Sequence, residues 1–154
     1  MKKQILISFL SFLFLGHIEA QDNSTGKTIH SFTEWNFGIA TIPNEELILP
    51  GTSFLWGKTI INENNFIIEY EAGFALPTII TGKLGIGKQF NSTNVVLGIR
   101  PFPFNFYLQS SLTNGKKGYW IVSIEYNPLS ADVGLSFGSE AILNFGYRWQ
   151  LNRK

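Results

Sequence analysis

Glu69 and Glu71 stand two residues apart, and among the residues of this chain their type and spacing come nearest to catalytic chemistry. On an extended strand they share a face about 7 Å apart, a separation compatible with general acid/base work. Lys83, on the next candidate strand, faces the same way, and Arg100 and Arg148 fall on polar faces further along. Carboxylates gathered with cations favour a salt-bridge network over a reactive pair, because buried charges persist when they are paired. Glu69, Glu71, Lys83, Arg100 and Arg148 are therefore candidate site residues in a structural sense.

Other chemical signals are weaker. Gly82-Lys83-Leu84-Gly85-Ile86-Gly87-Lys88 has the spacing of a phosphate-binding loop, but Gln89 stands where Ser or Thr would bind the metal. The residues also continue an alternating strand instead of opening a helix, so no nucleotide is expected. His30 is followed by Ser31, and sequence neighbours seldom make a catalytic pair. No Cys is present, which excludes a thiolate metal site. With His17 in the N-terminal leader described below, His30 is the one histidine left, too few for a multi-histidine site. No catalysis and no cofactor are expected.

The elements that must position these residues alternate with a period of two. From Asn65 to Pro77, Phe66, Ile68, Tyr70, Ala72, Phe74 and Leu76 fall on one face, with Glu69, Glu71, Gly73 and Ala75 on the other. That is a β-strand with one apolar and one polar side. Its length exceeds the usual five or six residues of a soluble strand and suits the roughly 9 to 11 that cross a membrane at a tilt.

At the N-terminus, Lys2 and Lys3 precede an apolar run from Ile5 to Leu15, which leads through Ala20 into polar Gln21 to Ser24. This describes a secretory signal peptide over residues 1–20, too short in its apolar core for a spanning helix. Its removal takes Lys2, Lys3 and Glu19 from the 12 basic and 11 acidic residues, leaving ten of each. Balanced charge predicts no nucleic-acid partner. No later segment is a candidate spanning helix, so membrane embedding would have to come from strands closed into a barrel.

Strands are expected at Thr52 to Ile61, Asn65 to Leu76, Thr78 to Phe90, Asn94 to Arg100, Phe104 to Leu112, Gly118 to Tyr126, Ala131 to Gly138 and Glu140 to Leu151. The fold class is thus all-β, an antiparallel up-and-down barrel of eight strands over residues 52–154. Connections after residue 52 read as two to five residues long. Residues 21–51 form an N-terminal extension, or a first strand and loop in which Trp35, Phe37 and Ile39 alternate with Asn36, Gly38 and Ala40. Even strand numbers are the rule in single-chain bacterial barrels, which favours the extension; ten strands arise if Glu45 to Leu49 also pairs.

Which face points inward separates two proteins. A soluble lipid-binding barrel would line a cavity with the aromatic face and expose the other. The polar face here carries many glycines and scattered charges, as the narrow interior of an eight-stranded membrane barrel requires. The bulky face would then meet lipid, including Leu143, Phe145, Tyr147, Trp149 and Leu151 on the closing strand.

With its leader, its alternating strands and the closing segment Ala141-Ile142-Leu143-Asn144-Phe145-Gly146-Tyr147-Arg148-Trp149-Gln150-Leu151, the chain resembles the small outer-membrane β-barrels of Gram-negative bacteria. The resemblance implies an outer-membrane location, contact with outer-membrane lipid, and recognition of the last strand by the barrel-assembly machinery. That family commonly ends on an aromatic residue, whereas this chain ends Leu151-Asn152-Arg153-Lys154, which moves the expected signal to Tyr147 and Trp149. The expected role is structural or envelope-associated. The alternatives are an exported soluble barrel binding an apolar ligand, periplasmic or secreted, and a lipid-modifying outer-membrane enzyme.

Overall fold

In a computed structural model, residues 26–41, 48–113, 118–128 and 139–151 are described. The alternating segments form eight strands: β1 (Thr28–Thr41), β2 (Ile48–Ile61), β3 (Phe66–Leu76), β4 (Ile79–Phe90), β5 (Thr93–Phe102), β6 (Phe104–Thr113), β7 (Gly118–Tyr126) and β8 (Ala141–Gln150). Each pairs antiparallel with the next, and β8 pairs with β1 to close a barrel. Closure leaves no strand edge unpaired.

The fold class and the strand number agree with the sequence reading, but the membership differs at both ends. The wall begins at Thr28: of the two readings of residues 21–51, the first strand and not the favoured extension is what forms, as β1, paired with β2 on one side and β8 on the other. Its polar residues Glu34 and Asn36 point into the barrel, where a polar interior makes them ordinary wall residues. β2 starts at Ile48, not Thr52. The expected strand Ala131 to Gly138 lies outside the described residues, as do residues 1–20 and most of Glu45 to Leu49. β7 pairs directly with β8, Ile124 opposite Leu143, so their connection covers residues 127–140 and exceeds the expected two to five.

Turns form where the sequence supplies residues that accept bent backbone. Between β2 and β3 the Asn62 side chain accepts hydrogen bonds from the amides of Asn64 (3.0 Å) and Phe66 (2.8 Å). Asn65 follows at φ 60°, and Asn91, between β4 and β5, lies at φ 50°. Asparagine tolerates this left-handed region better than other non-glycine residues. The β4–β5 ladder shifts register between Gly82 and Leu84, opposite the stretch of β5 that holds Pro101. A proline, which cannot donate to a ladder, is tolerated at such an irregularity.

The two faces invert the usual order of a globular protein. Outward stand Trp35, Phe37, Phe54, Trp56, Leu97, Trp120 and Phe145, all exposed, while Glu34, Glu69, Lys83, Gln109 and Glu125 are buried inside. Aromatic rings cluster on the outer face of β7 and β8, where Trp120 stacks on Phe145 at 5.2 Å and meets Tyr147 edge-on at 5.0 Å. Inside, bulk is matched by its absence. A side chain at Gly98 would collide with the Tyr107 ring, and one at Gly57 with the ring of Phe32.

The β1–β8 seam is testable in a chain without native Cys. Phe37 is in register with Phe145 of β8 and with Thr52 of β2. Cysteines at Phe37 and Phe145 should form a disulfide on mild oxidation, seen as a mobility shift without reductant. The pair Phe145/Thr52 should not, since two strand spacings of about 4.8 Å exceed the roughly 7 Å limit between bridged Cα atoms. The reverse ranking would remove β1 from the wall.

Candidate functional site

The chemistry-bearing side chains converge in the lumen around Arg148. Strand alternation at β8 turns Asn144, Gly146 and Arg148 inward and Phe145 and Trp149 outward. The Arg148 guanidinium lies over the Phe32 ring at 3.6 Å from its centroid, a cation–π contact beneath the charge network. Through Nε and Nη2 it reaches Glu34 Oε2 at 2.6 Å. Nη1 donates to Glu69 Oε2 at 2.5 Å and Nη2 to Glu69 Oε1 at 2.9 Å, the bidentate fork that suits guanidinium and carboxylate. Nη2 also stands 3.5 Å from Glu71. One cation thus ties β8 to β1, its neighbour, and to β3 across the interior.

Neutral groups supply further hydrogen bonds to Glu69 and Glu34, whereas Glu71 Oε1 faces only the Lys83 ammonium at 3.5 Å. Thr59 Oγ1 donates to Glu69 at 2.7 Å and Gln109 Nε2 at 3.1 Å, while Asn36 Nδ2 donates to Glu34 at 2.8 Å. Such partners matter because a buried charge left with open lone pairs costs several kcal/mol.

Lys83 carries the network along the lumen. Its Nζ lies 3.5 Å from Glu71 and 3.4 Å from Glu125, donates to Gln109 at 3.4 Å, and sits 5.2 Å from the centre of the Tyr107 ring. Glu125 in turn accepts from Arg100 Nη2 at 2.6 Å and from Asn144 Nδ2 at 2.8 Å. The five charged residues singled out from the sequence are all buried, and the chain of contacts from Arg148 through Glu71, Lys83 and Glu125 to Arg100 joins them. Glu69 and Glu71 do share a face, but both are engaged by Arg148.

Two members escaped the sequence reading. Glu34 lies in the segment whose reading stayed open between extension and first strand, and Glu125, on the expected strand Gly118 to Tyr126, was not singled out. A signal existed: the five chosen residues hold two acids against three bases, and a buried cluster needs counter-charge. With Glu34 and Glu125 the network has four carboxylates and three cations.

His30 and Ser31 lie inside β1, contrary to their placement outside the strands. Adjacent residues of a strand point to opposite faces, so the two side chains diverge. Half-buried His30 lines, with Phe32, Arg148 and Gln150 among others, a cavity of about 10 Å³, room for one water. Gly82 to Lys88 runs within β4 as uninterrupted strand, without the loop and helix start that cradle a phosphate. Among the described residues no group of three or more His, Cys, Asp or Glu side chains is placed to hold a metal ion.

Comparison with family models, with curated proteins and with solved structures found no match. The reading of this site therefore rests on its own geometry.

Arg148 and Lys83 should differ in what their loss costs. Arg148→Met strands carboxylates of two strands and should destabilise the barrel by about 3–5 kcal/mol in urea unfolding, the range for breaking a buried pair. Lys83→Met should cost less, since Glu71 keeps Arg148 and Glu125 keeps Arg100. Arg148→Lys should recover only part of the loss, an ammonium lacking the planar fork. Wild-type stability in all three variants would show that the network is dispensable.

Proposed function

We propose that this chain is a membrane-spanning β-barrel of the Gram-negative outer membrane, a small wall element with a structural, envelope-associated role. The observation that carries the reading is the inverted polarity of the barrel: large apolar and aromatic side chains cover its outside, and seven of the charged side chains of its strands are packed inside. Among the described strand residues Lys58 and Lys88 are the only charged ones standing outside, both towards the asparagine-turn rim. In water the outer surface would be a continuous apolar patch far larger than soluble monomers tolerate. In lipid it is the expected surface, with the closed ladder satisfying backbone groups that hydrocarbon cannot.

The interior argues for a closed element and against a general diffusion pore. Arg148, Lys83 and Arg100 with four carboxylates occupy the lumen of an eight-stranded barrel, which is only wide enough for side chains. The same filling counts against a soluble carrier of apolar ligands, which needs an apolar cavity there. No catalysis is proposed, because the candidate carboxylates are engaged by cations and His30 and Ser31 diverge. Outer-membrane lipid and the barrel-assembly machinery are the proposed partners; no nucleotide, nucleic acid or cofactor is. Export by a cleaved leader over residues 1–20 belongs to this proposal.

Fractionation tests it directly. Folded protein should stay with membranes, require detergent for extraction, and migrate differently on gels before and after heating. Leu97→Arg, on the exposed face of β5, should impair insertion by about 2–4 kcal/mol if it lies near the bilayer centre. Recovery of folded wild-type protein from the aqueous periplasmic fraction would sink the membrane reading.

A further inference from the structure

The two rims of the barrel solve the same backbone problem with different residues. At one rim the β2–β3 and β4–β5 turns place Asn65 and Asn91 in the left-handed region, φ 60° and 50°. At the other rim Ile79, after the β3–β4 turn, adopts φ 68°. A β-branched residue is costly there, whereas Asn or Gly would be easy. The apolar choice is repeated around it: Leu76, Ile79 and Phe102 are 65%, 67% and 61% exposed, among the most exposed large apolar side chains described.

This rim also offers water few backbone donors. Pro77 occupies the β3–β4 turn, and Pro103 alone joins β5 to β6, with Pro101 two residues before it. None has an N–H. The Ile80 amide donates to Thr78 O at 2.8 Å, and the Thr81 hydroxyl to Phe102 O at 3.2 Å. β3 to β6 are consecutive in the wall, so the two turns form one continuous apolar half-rim above the exposed row that includes Leu97.

We infer that this half-rim, from Leu76 to Ile80 and around Phe102 and Pro103, is a lipid-contacting surface that stays within the bilayer instead of projecting into water. The inference rests on the membrane-barrel reading. Lipid is the occupant because the half-rim continues the apolar outer wall with half-buried Thr78 as its one polar side chain between Leu76 and Ile80, and because three prolines remove backbone donors that hydrocarbon would leave unpaired. The asparagine turns of the opposite rim keep those groups and meet water.

Single cysteines decide the matter in this Cys-free chain. Ile79→Cys and Phe102→Cys probe the half-rim, Ser92→Cys the opposite rim and Leu97→Cys the wall, each labelled with an environment-sensitive fluorophore and folded into phosphatidylcholine vesicles. Labels at 79 and 102 should be quenched by brominated phosphatidylcholine as at 97, and by aqueous iodide several-fold less than at 92. Iodide quenching at 79 and 102 equal to that at 92, with 97 still quenched by lipid, would overturn the half-rim inference alone. Shielding at 79 and 102 from both quenchers would overturn it in favour of cover by another segment of the chain or a second copy. Absence of lipid quenching at 97 would overturn the inference together with the membrane reading.

Discussion

The contact between Arg148 and the carboxylates of Glu34, Glu69 and Glu71 is the constraint on which the rest of this barrel depends. A closed sheet must join its first and last strands, and here the joining is reinforced from within, since β8 supplies the cation and β1 and β3 the anions. Low dielectric strengthens each such contact and raises the cost of any partner left alone. The interior is therefore demanding about register. Sliding a strand by one residue would turn its charges to the outer face and its apolar row inward.

Much of the remaining interior follows from accommodating that cluster. The Phe32 ring supports the guanidinium from one side, and Gly57 on the neighbouring strand leaves room for the ring. Gly85 and Gly98 make space for Tyr107, which lies beside Lys83. Outside, the load differs around the wall. β7, β8, β1 and β2 carry all four tryptophans and most of their ring neighbours, whereas β4 and β5 present Leu84, Ile86, Leu97 and Ile99. The outer surface thus has an aromatic sector and an aliphatic one, and the proline turns crown the latter.

The alternation of Phe66, Ile68 and Tyr70 with Glu69 and Glu71 determined strand type and the two faces, because a period of two is a local property of extended backbone. The same property assigned the paired charges to one face and placed Gly82 to Lys88 within a strand. Local properties did not decide which strands close the barrel. The stretch up to Glu34 reads as polar because a strand with a polar inward face has no net hydrophobicity to announce it, and only the pairing of Thr28–Thr41 with β2 and β8 makes it wall. Nor could spacing identify which cation meets which anion: Arg148 is 114 residues from Glu34 and 79 from Glu69, and the barrel's closure alone brings them together. The sequence by itself determined the strands and their faces, since those depend on neighbours along the chain; tertiary structure decided the closure and the ion pairs, since those depend on register between strands distant in sequence.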